Sequence, residues 1–253
     1  MLQNERQAEI LKRIKENQSV RIGDLTALFQ VTRETVRRDL YELEKMGSIK
    51  KVHGGAVLNK AGDEPPYSVR SILRVESKQL IAKKAASFVE DGDTLFIDLG
   101  TTTLLFAREL AAKRNITVIT NSLPVAIALS GNESARIILC GGELRGGDLS
   151  LSGTVASKTM KDFYVDKSFI GVGGISPEQG ITDYHVDEAE IRRMMMGRAK
   201  ENYALCDFSK FNVVAFTKVC ELRDVDTVVV DKALPDKELA HFKEHGVQVI
   251  VAD

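Results

Sequence analysis

Residues 32–46 read Thr32-Arg33-Glu34-Thr35-Val36-Arg37-Arg38-Asp39-Leu40-Tyr41-Glu42-Leu43-Glu44-Lys45-Met46. At 100° per residue, Val36, Leu40 and Leu43 fall on one face of a helix, with Glu34, Arg38, Tyr41 and Lys45 opposite and Thr35 and Arg37 on the flanks. A narrow apolar stripe backed by a polar, cationic face suits a helix that packs on a small core and lies in a DNA major groove. There Arg reaches guanine edges, and Thr or Lys takes phosphates. Thr32 is placed to cap this helix and Gly47 to stop it.

Upstream, residues 5–16 carry Ala8, Leu11 and Ile14 at helical spacing. Residues 23–30 read as a short helix that buries Leu25, Leu28 and Phe29, with Asp24 as its N-cap. Downstream, residues 48–57 alternate as a hairpin does. Three helices and a hairpin make a winged helix-turn-helix. Thr32, Arg33, Thr35, Arg37 and Arg38 would meet DNA from the third helix, and Lys50, Lys51 and His53 from the wing. The competing reading is a small helical interaction domain whose arginines are simply solvated.

Charge agrees with a basic head. Residues 1–58 hold eleven Lys/Arg against eight Asp/Glu, and the remainder holds 24 against 28, within a chain of net charge −1. Over 253 residues, one large or two modest domains are expected. A 43% hydrophobic content excludes disorder as the main state. No apolar run approaches a membrane span, and the N-terminus does not read as a signal peptide. Three scattered cysteines, Cys140, Cys206 and Cys220, argue against a disulfide framework and for a reducing cytoplasm. Gly62 and Pro65-Pro66 mark residues 59–74 as a linker between residues 3–58 and 75–253.

The head resembles the DeoR family of bacterial transcription regulators. Arg6, Ile10 and Ile14, a gap of seventeen residues, then Thr32, Thr35, Val36, Arg37, Arg38, Asp39 and Leu40 fit that family's pattern at every position. His53-Gly54-Gly55-Ala56 is similar to its wing. The resemblance puts the helix-turn-helix proper at about residues 20–39 and leaves Arg33-Glu34 as variable positions that help set the operator.

From residue 75 the chain alternates helices with apolar runs. Strands are expected at 94–98, 116–120, 136–140, 167–172, 203–207, 227–231 and 248–251. Helices are expected at 76–89, 102–113, 123–129, 155–163, 186–200 and 236–244. Nearly all-apolar strands separated by helices imply a mostly parallel α/β sheet covered on both faces. Ligands in such sheets bind beyond the strands' carboxyl ends. Those ends carry Asp98, Gly100, Thr101, Thr102 and Thr103; Asn121 and Ser122; Gly141, Gly142 and Glu143; Gly171 and Gly173; and Asp207 and Lys210. Threonine hydroxyls and helix N–H groups can cradle an anion, Asp98 can accept from sugar hydroxyls, and Lys210 is able to meet a phosphate. The joint pattern describes a pocket for a small phosphorylated polyol.

These loops, with Asp183 and Glu188, also resemble the DeoR effector domain, which is similar to ribose-5-phosphate isomerases and coenzyme A transferases. The resemblance implies a repressor of sugar-metabolism genes, controlled by a sugar phosphate, that binds double-stranded operator DNA as a homodimer or homotetramer. It implies no catalytic residue, metal or cofactor, no membrane, and a place in the bacterial cytoplasm at the nucleoid. The rival reading is a phosphosugar isomerase fused to a DNA-binding head. Proton transfer between adjacent carbons needs a carboxylate base, and the stretch that corresponds to the isomerases' acidic strand end, Gly171–Gly174, has none. His241 and His245 sit four apart without a third ligand, Met194–Met196 read as packing, and Cys140 and Cys206 as core.

Overall fold

The computed structural model describes residues 2–45, 49–58 and 63–253. They form two compact units, residues 1–65 and 66–253. The first runs α1 (Gln3–Asn17), β1 (Ser19–Arg21), α2 (Ile22–Phe29), α3 (Arg33–Lys45), β2 (Ile49–Val52) and β3 (Gly55–Leu58). Its core joins Ile10 and Ile14 of α1, Leu25 of α2, and Val36, Leu40 and Leu43 of α3. The expected inward face of α3 is therefore observed.

Three local expectations are corrected. On α1 the bulkier Ile10 and Ile14 face inward, while Leu11 is half-buried and Ala8 exposed. On α2, Leu25 and Phe29 share the inward face at i and i+4, which turns Leu28 out to solvent. Asp24 lies in the first turn of α2 but is not its cap. β1 runs straight into the helix, and the Ile22 N–H donates to the Gly54 carbonyl at 2.9 Å. Thr32 does cap α3, accepting from the Thr35 N–H at 3.2 Å. Gly47 as a helix stop, Met46 and Ser48 lie outside the described residues.

The hairpin β2–β3 pairs Lys50 with Val57 and Val52 with Gly55. A third strand not foreseen, β1, adds to β3, so the order is β1-β3-β2. Gly55 is required there. A Cβ at that position would overlap the Val20 carbonyl.

The second unit begins with α4 (Tyr67–Ile72), inside the expected linker, and α5 (Val75–Ala86). There follow β4 (Thr94–Ile97), α6 (Thr101–Glu109), β5 (Thr117–Thr120), α7 (Leu123–Leu129) and β6 (Arg136–Leu139). A hairpin of β7 (Glu143–Arg145) and β8 (Ser150–Ser152) leads to α8 (Gly153–Lys161), β9 (Val165–Gly171), β10 (Gly174–Ser176) and β11 (Gly180–Asp183). The chain ends with α9 (Val186–Met196), β12 (Ala199–Leu205), β13 (Thr217–Cys220), β14 (Thr227–Val230), α10 (Asp236–Glu244) and β15 (Gln248–Val251).

The seven expected strands are the seven of one sheet, in the order β15-β14-β12-β9-β4-β5-β6. Every pairing in it is parallel. Leu95 and Ile97 pack under Ile81 of α5 and Phe106 of α6, whereas Phe96 between them packs with Met160 of α8 and Met195 of α9. This two-residue alternation with apolar cover on both sides is why the strands read as unbroken apolar runs. The helix expected over 186–200 stops at Met196, and β12 starts at Ala199. The three-stranded sheet β10-β11-β13 and the hairpin β7–β8 were not foreseen.

Chain order sets the site. From β4 the sheet grows outward through β5 to β6, then returns to place β9 on the other side of β4. The strand order reverses between β4 and β9. Helices leave the sheet there toward opposite faces, which opens a crevice at the strands' carboxyl ends.

Candidate functional site

In the first unit, α3 presents Arg37 and Arg38, with Arg33 and Thr32 at its start, to solvent, and Thr35 is half-buried. Arg37 makes a loose contact with Glu34 at 3.8 Å, an exposed pair that contributes little. Lys50 and His53 are exposed on the wing. Lys51 is held more closely. Its N–H donates to Glu44 Oε1 at 2.7 Å, its ammonium lies 3.4 Å from Glu44 Oε2, and it sits 4.9 Å from the centre of the Tyr41 ring. Glu44, not singled out from sequence, and Tyr41 of the outer face therefore tie the wing to α3. The result is a cationic helix face beside a cationic wing, an arrangement suited in shape and charge to a DNA duplex.

In the second unit, Asp98 directly follows β4 and Gly171 ends β9. The Gly171 N–H donates to Asp98 Oδ2 at 3.1 Å across the switch point. The same oxygen accepts from Arg192 Nε at 2.6 Å. Arg192, 3% exposed, also pairs with Asp183 through Nη1 and lies 3.7 Å from Glu188 through Nη2. Burial pulls this guanidinium's pKa down, but Asp183, Asp98 and Glu188 outweigh it and hold the pKa above its ordinary value. Burial pushes the Asp98 carboxyl up, and Arg192 and the Gly171 N–H pull it back in part. Three of the expected residues, Asp98, Asp183 and Glu188, are thus gathered by one arginine.

The chain of charges continues. Glu188 Oε1 lies 2.7 Å from Arg145, which also pairs with Asp148. Asp148, 3% exposed, lies 3.9 Å from Arg70 of α4. Its carboxyl is held below the ordinary range: burial opposes this, but the Arg145 and Ser150 hydrogen bonds prevail. Arg70 offers its carbonyl to the Lys78 ammonium, and Lys78 is itself buried. Burial lowers the Lys78 amine to about 8, with Asp207 pulling it up and Lys210, Arg70 and Arg74 pushing it down. Four cations and Asp207 therefore share one region, and Arg74 lies 3.6 Å from Asp207.

The threonine loop lies beside Asp98. Gly100, at φ +141°, is the N-cap of α6, and the first N–H groups of a helix have no partner within it. Thr101 and Thr102 are half-buried, and the buried Thr103 hydroxyl donates to the Gly100 carbonyl at 3.1 Å. Asn121 is fully buried and its Nδ2 donates to Leu151 at 3.3 Å. Among the described residues, Asp98 Oδ1 and Asn121 Oδ1 are buried and accept no hydrogen bond. Each such acceptor costs about 1–3 kcal/mol until a donor reaches it.

Other expected residues have local duties. The Ser122 hydroxyl caps α7, accepting from the Val125 N–H at 3.3 Å. Asp207 Oδ1 accepts from the Ser209 N–H at 3.0 Å and caps the short turn that carries Lys210. Gly173 packs closely on Thr182. Gly141, Gly142 and Glu143 are exposed where the chain leaves the edge strand β6 and enters β7. Burial raises the Cys140 and Cys220 thiols to about 12 and Cys206 well above its usual value, which leaves little thiolate. Among the described residues, no helix is long and apolar enough to cross a membrane.

Arg192, Arg145, Asp148, Lys78, Arg70 and Arg74 were missed from the sequence. One signal was available: Arg192 stands four residues after Glu188 on α9, the spacing of a helical ion pair.

A cationic winged helix-turn-helix joined to an α/β unit with a polar crevice defines a DNA-binding transcription regulator with a sensor domain. Residues 6–61 match the DeoR-like helix-turn-helix domain, and residues 73–232 match the DeoR C terminal sensor domain. The chain belongs to the DeoR family. The HTH-type transcriptional repressor GlcR of Bacillus subtilis (strain 168) is 36% identical over 255 residues, covering 100% of this chain and 98% of its own. The glycerol-3-phosphate regulon repressor of Escherichia coli (strain K12) is 32% identical over 249 residues, covering 98% of this chain and 99% of its own. Among solved structures, a D-ribose-5-phosphate isomerase aligns over 54% of each chain at 17% identity with a TM-score of 0.41.

Proposed function

We propose that this regulator is a repressor of sugar-metabolism genes whose grip on its operator is controlled by a phosphorylated sugar. The carrying observation is the pairing of opposite needs along one rim. Arg70, Arg74, Lys78 and Lys210 offer concentrated positive charge, while Asp98 Oδ1 and Asn121 Oδ1 want donors. A phosphate answers the first need and sugar hydroxyls answer the second. The strands involved, β12, β9, β4 and β5, are neighbours. At about 4.8 Å per step the rim spans about 15 Å, the scale of one small molecule. The E. coli relative's name, for repression of a glycerol-3-phosphate regulon, points the same way.

The ligand is bound and released unchanged. Asp183 is occupied by the His185 N–H and Arg192, and Glu188 by Arg145 and Arg192, so neither serves as a mobile base. Two heads of a homodimer or homotetramer would take symmetric operator half-sites. The protein would work in the cytoplasm at the nucleoid. Closure of the pocket on the anion would respace the heads through the Pro65-Pro66 segment.

A thermal-shift and operator-binding screen tests this reading. Some sugar phosphates should raise the melting temperature and weaken operator binding, the matching free sugars should do neither, and no sugar phosphate should be turned over. An equal response to free sugars, or measurable isomerisation, overturns it. Lys210→Ala should lose the response but keep basal DNA binding.

A further inference from the structure

The head buries an ion pair between its first and third helices. Arg6, in the first turn of α1, is 8% exposed, and Asp39, in the middle of α3, is 1% exposed. Arg6 Nε donates to Asp39 Oδ2 at 2.5 Å and Nη2 donates to Oδ1 at 3.1 Å. Around this fork the contact is aliphatic: Ile10 and Ile14 against Val36, Leu40 and Leu43.

These two kinds of contact constrain different things. Apolar packing is non-directional, and similar shapes repack with small shifts. A guanidinium meeting a carboxylate through two hydrogen bonds fits in one plane and one orientation. Asp39 directly follows Arg37 and Arg38 on α3. The pair also lines a groove of about 680 Å3 whose walls include Thr35, Arg37 and Arg38. With a helix radius of about 6 Å including side chains, a rotation of about 20° moves an outer atom by about 2 Å. That exceeds the roughly 0.5 Å window of a good hydrogen bond.

We propose that Arg6 and Asp39 are positioning residues that fix the rotation and register of α3 on α1, and so set operator discrimination more than overall DNA affinity. Stability alone does not account for the pair. Desolvating both charges offsets much of their attraction, and an apolar pair of similar volume is often as stable. Directionality is what the ion pair adds to a core that is otherwise aliphatic. The Arg37 and Arg38 guanidiniums need that direction to reach base edges, whereas a phosphate contact from the same side chains tolerates a turn of the helix.

The test uses the full chain and the duplex it selects from a random library, with a scrambled duplex as reference. One variant carries Arg6→Met with Asp39→Leu, and a second carries Arg6→Lys, which keeps the charge and loses the fork. The double variant should melt within a few degrees of the parent and bind scrambled DNA with the same affinity and salt slope. Its selected-to-scrambled ratio should fall tenfold or more. Arg6→Lys should lose three- to tenfold of that ratio. A folded variant with an undiminished ratio overturns the proposal, as does an equal loss on both duplexes. If the double variant does not fold, Arg6→Lys decides by the same criteria.

Discussion

Arg192 Nε lies 2.6 Å from Asp98 Oδ2, which ties α9 to the end of β4 across 94 residues of sequence. The same carboxylate oxygen accepts the Gly171 N–H from the end of β9, so the guanidinium is anchored where the strand order reverses. The same guanidinium meets Asp183 and Glu188. One cation therefore keeps three buried carboxylates tolerable to one another.

Replacing Arg192 by Met would leave Asp98 and Asp183 buried without their cation, while Glu188 keeps Arg145. Removing one member of a buried ionic set costs about 3–5 kcal/mol. For a unit of this size that lowers the melting temperature by roughly 6–20 °C. Calorimetry on the full chain measures it. A shift of under about 2 °C would show that the network contributes little to the fold.

Lys78 predicts a pH dependence. Burial holds its amine at about 8, and a bound phosphate favours the charged form, so its value rises on binding. This contribution to affinity is full below about pH 8 and is lost as pH rises through 8, by up to about tenfold per pH unit. On the acid side, a phosphate ester gains its second charge near pH 6, so affinity should peak at about pH 6.5–7.5. Titration calorimetry with the strongest sugar phosphate from the screen measures the profile. Lys78→Arg should remove the alkaline fall, because guanidinium stays charged. A fall that persists in Lys78→Arg assigns it to another group.

The main sheet was legible in the sequence because strands covered on both faces are apolar throughout. Thr94–Ile97 and Thr227–Val230 leave little else to read. The recognition helix was legible because Val36, Leu40 and Leu43 repeat at helical spacing and bury as that spacing implies. The strand β1 was not, since three residues carry no period and gain their partners from β3, far along the chain. Of the candidate site, the strand-end residues Asp98 and Asn121 could be named because topology alone puts them at the crevice. Lys78 could not. Glu76-Ser77-Lys78-Gln79 reads as a solvated turn of helix until Arg70 and Asp207 are folded against it. Arg145 and Asp148 sit on an unforeseen hairpin, and nothing local marks them as partners of Glu188 and Arg70.

Asp148 predicts a separation of binding from response. It joins Arg145 of the site to Arg70 of α4, a six-residue helix with no buried residue that directly follows Pro65-Pro66. An element with so little apolar anchorage docks and releases at low cost. Asp148→Asn should leave sugar-phosphate affinity within about twofold. It should also cut the ligand's effect on operator binding from the roughly 10–100-fold typical of allosteric coupling to a few-fold. Calorimetry and operator titration with and without ligand read the two quantities. An unaltered response would reject Asp148 as a coupler, and lost ligand binding would move it into the pocket.

The neighbouring wing glycines predict opposite tolerances. Gly54 sits at φ +82° with nothing within 4 Å of a Cβ, so its requirement is backbone conformation alone, and Asn adopts that conformation readily. At Gly55 a Cβ would strike the Val20 carbonyl, so any side chain pushes β3 off β1. The Ile22 N–H loses its tie to the Gly54 carbonyl when that happens, and Lys50 and His53 move with the hairpin. Gly54→Asn should bind DNA like the parent. Gly55→Ala should destabilise the head by about 1–3 kcal/mol, as overpacking does. If the wing's cations meet phosphates, it should weaken selected and scrambled duplexes by the same factor with a shallower salt slope, because phosphate contacts carry no sequence information. Melting of the second unit should stay unchanged. If Gly55→Ala instead lost discrimination while keeping affinity for scrambled DNA, the wing would be a reader of sequence, and its cations would have to be placed at base edges.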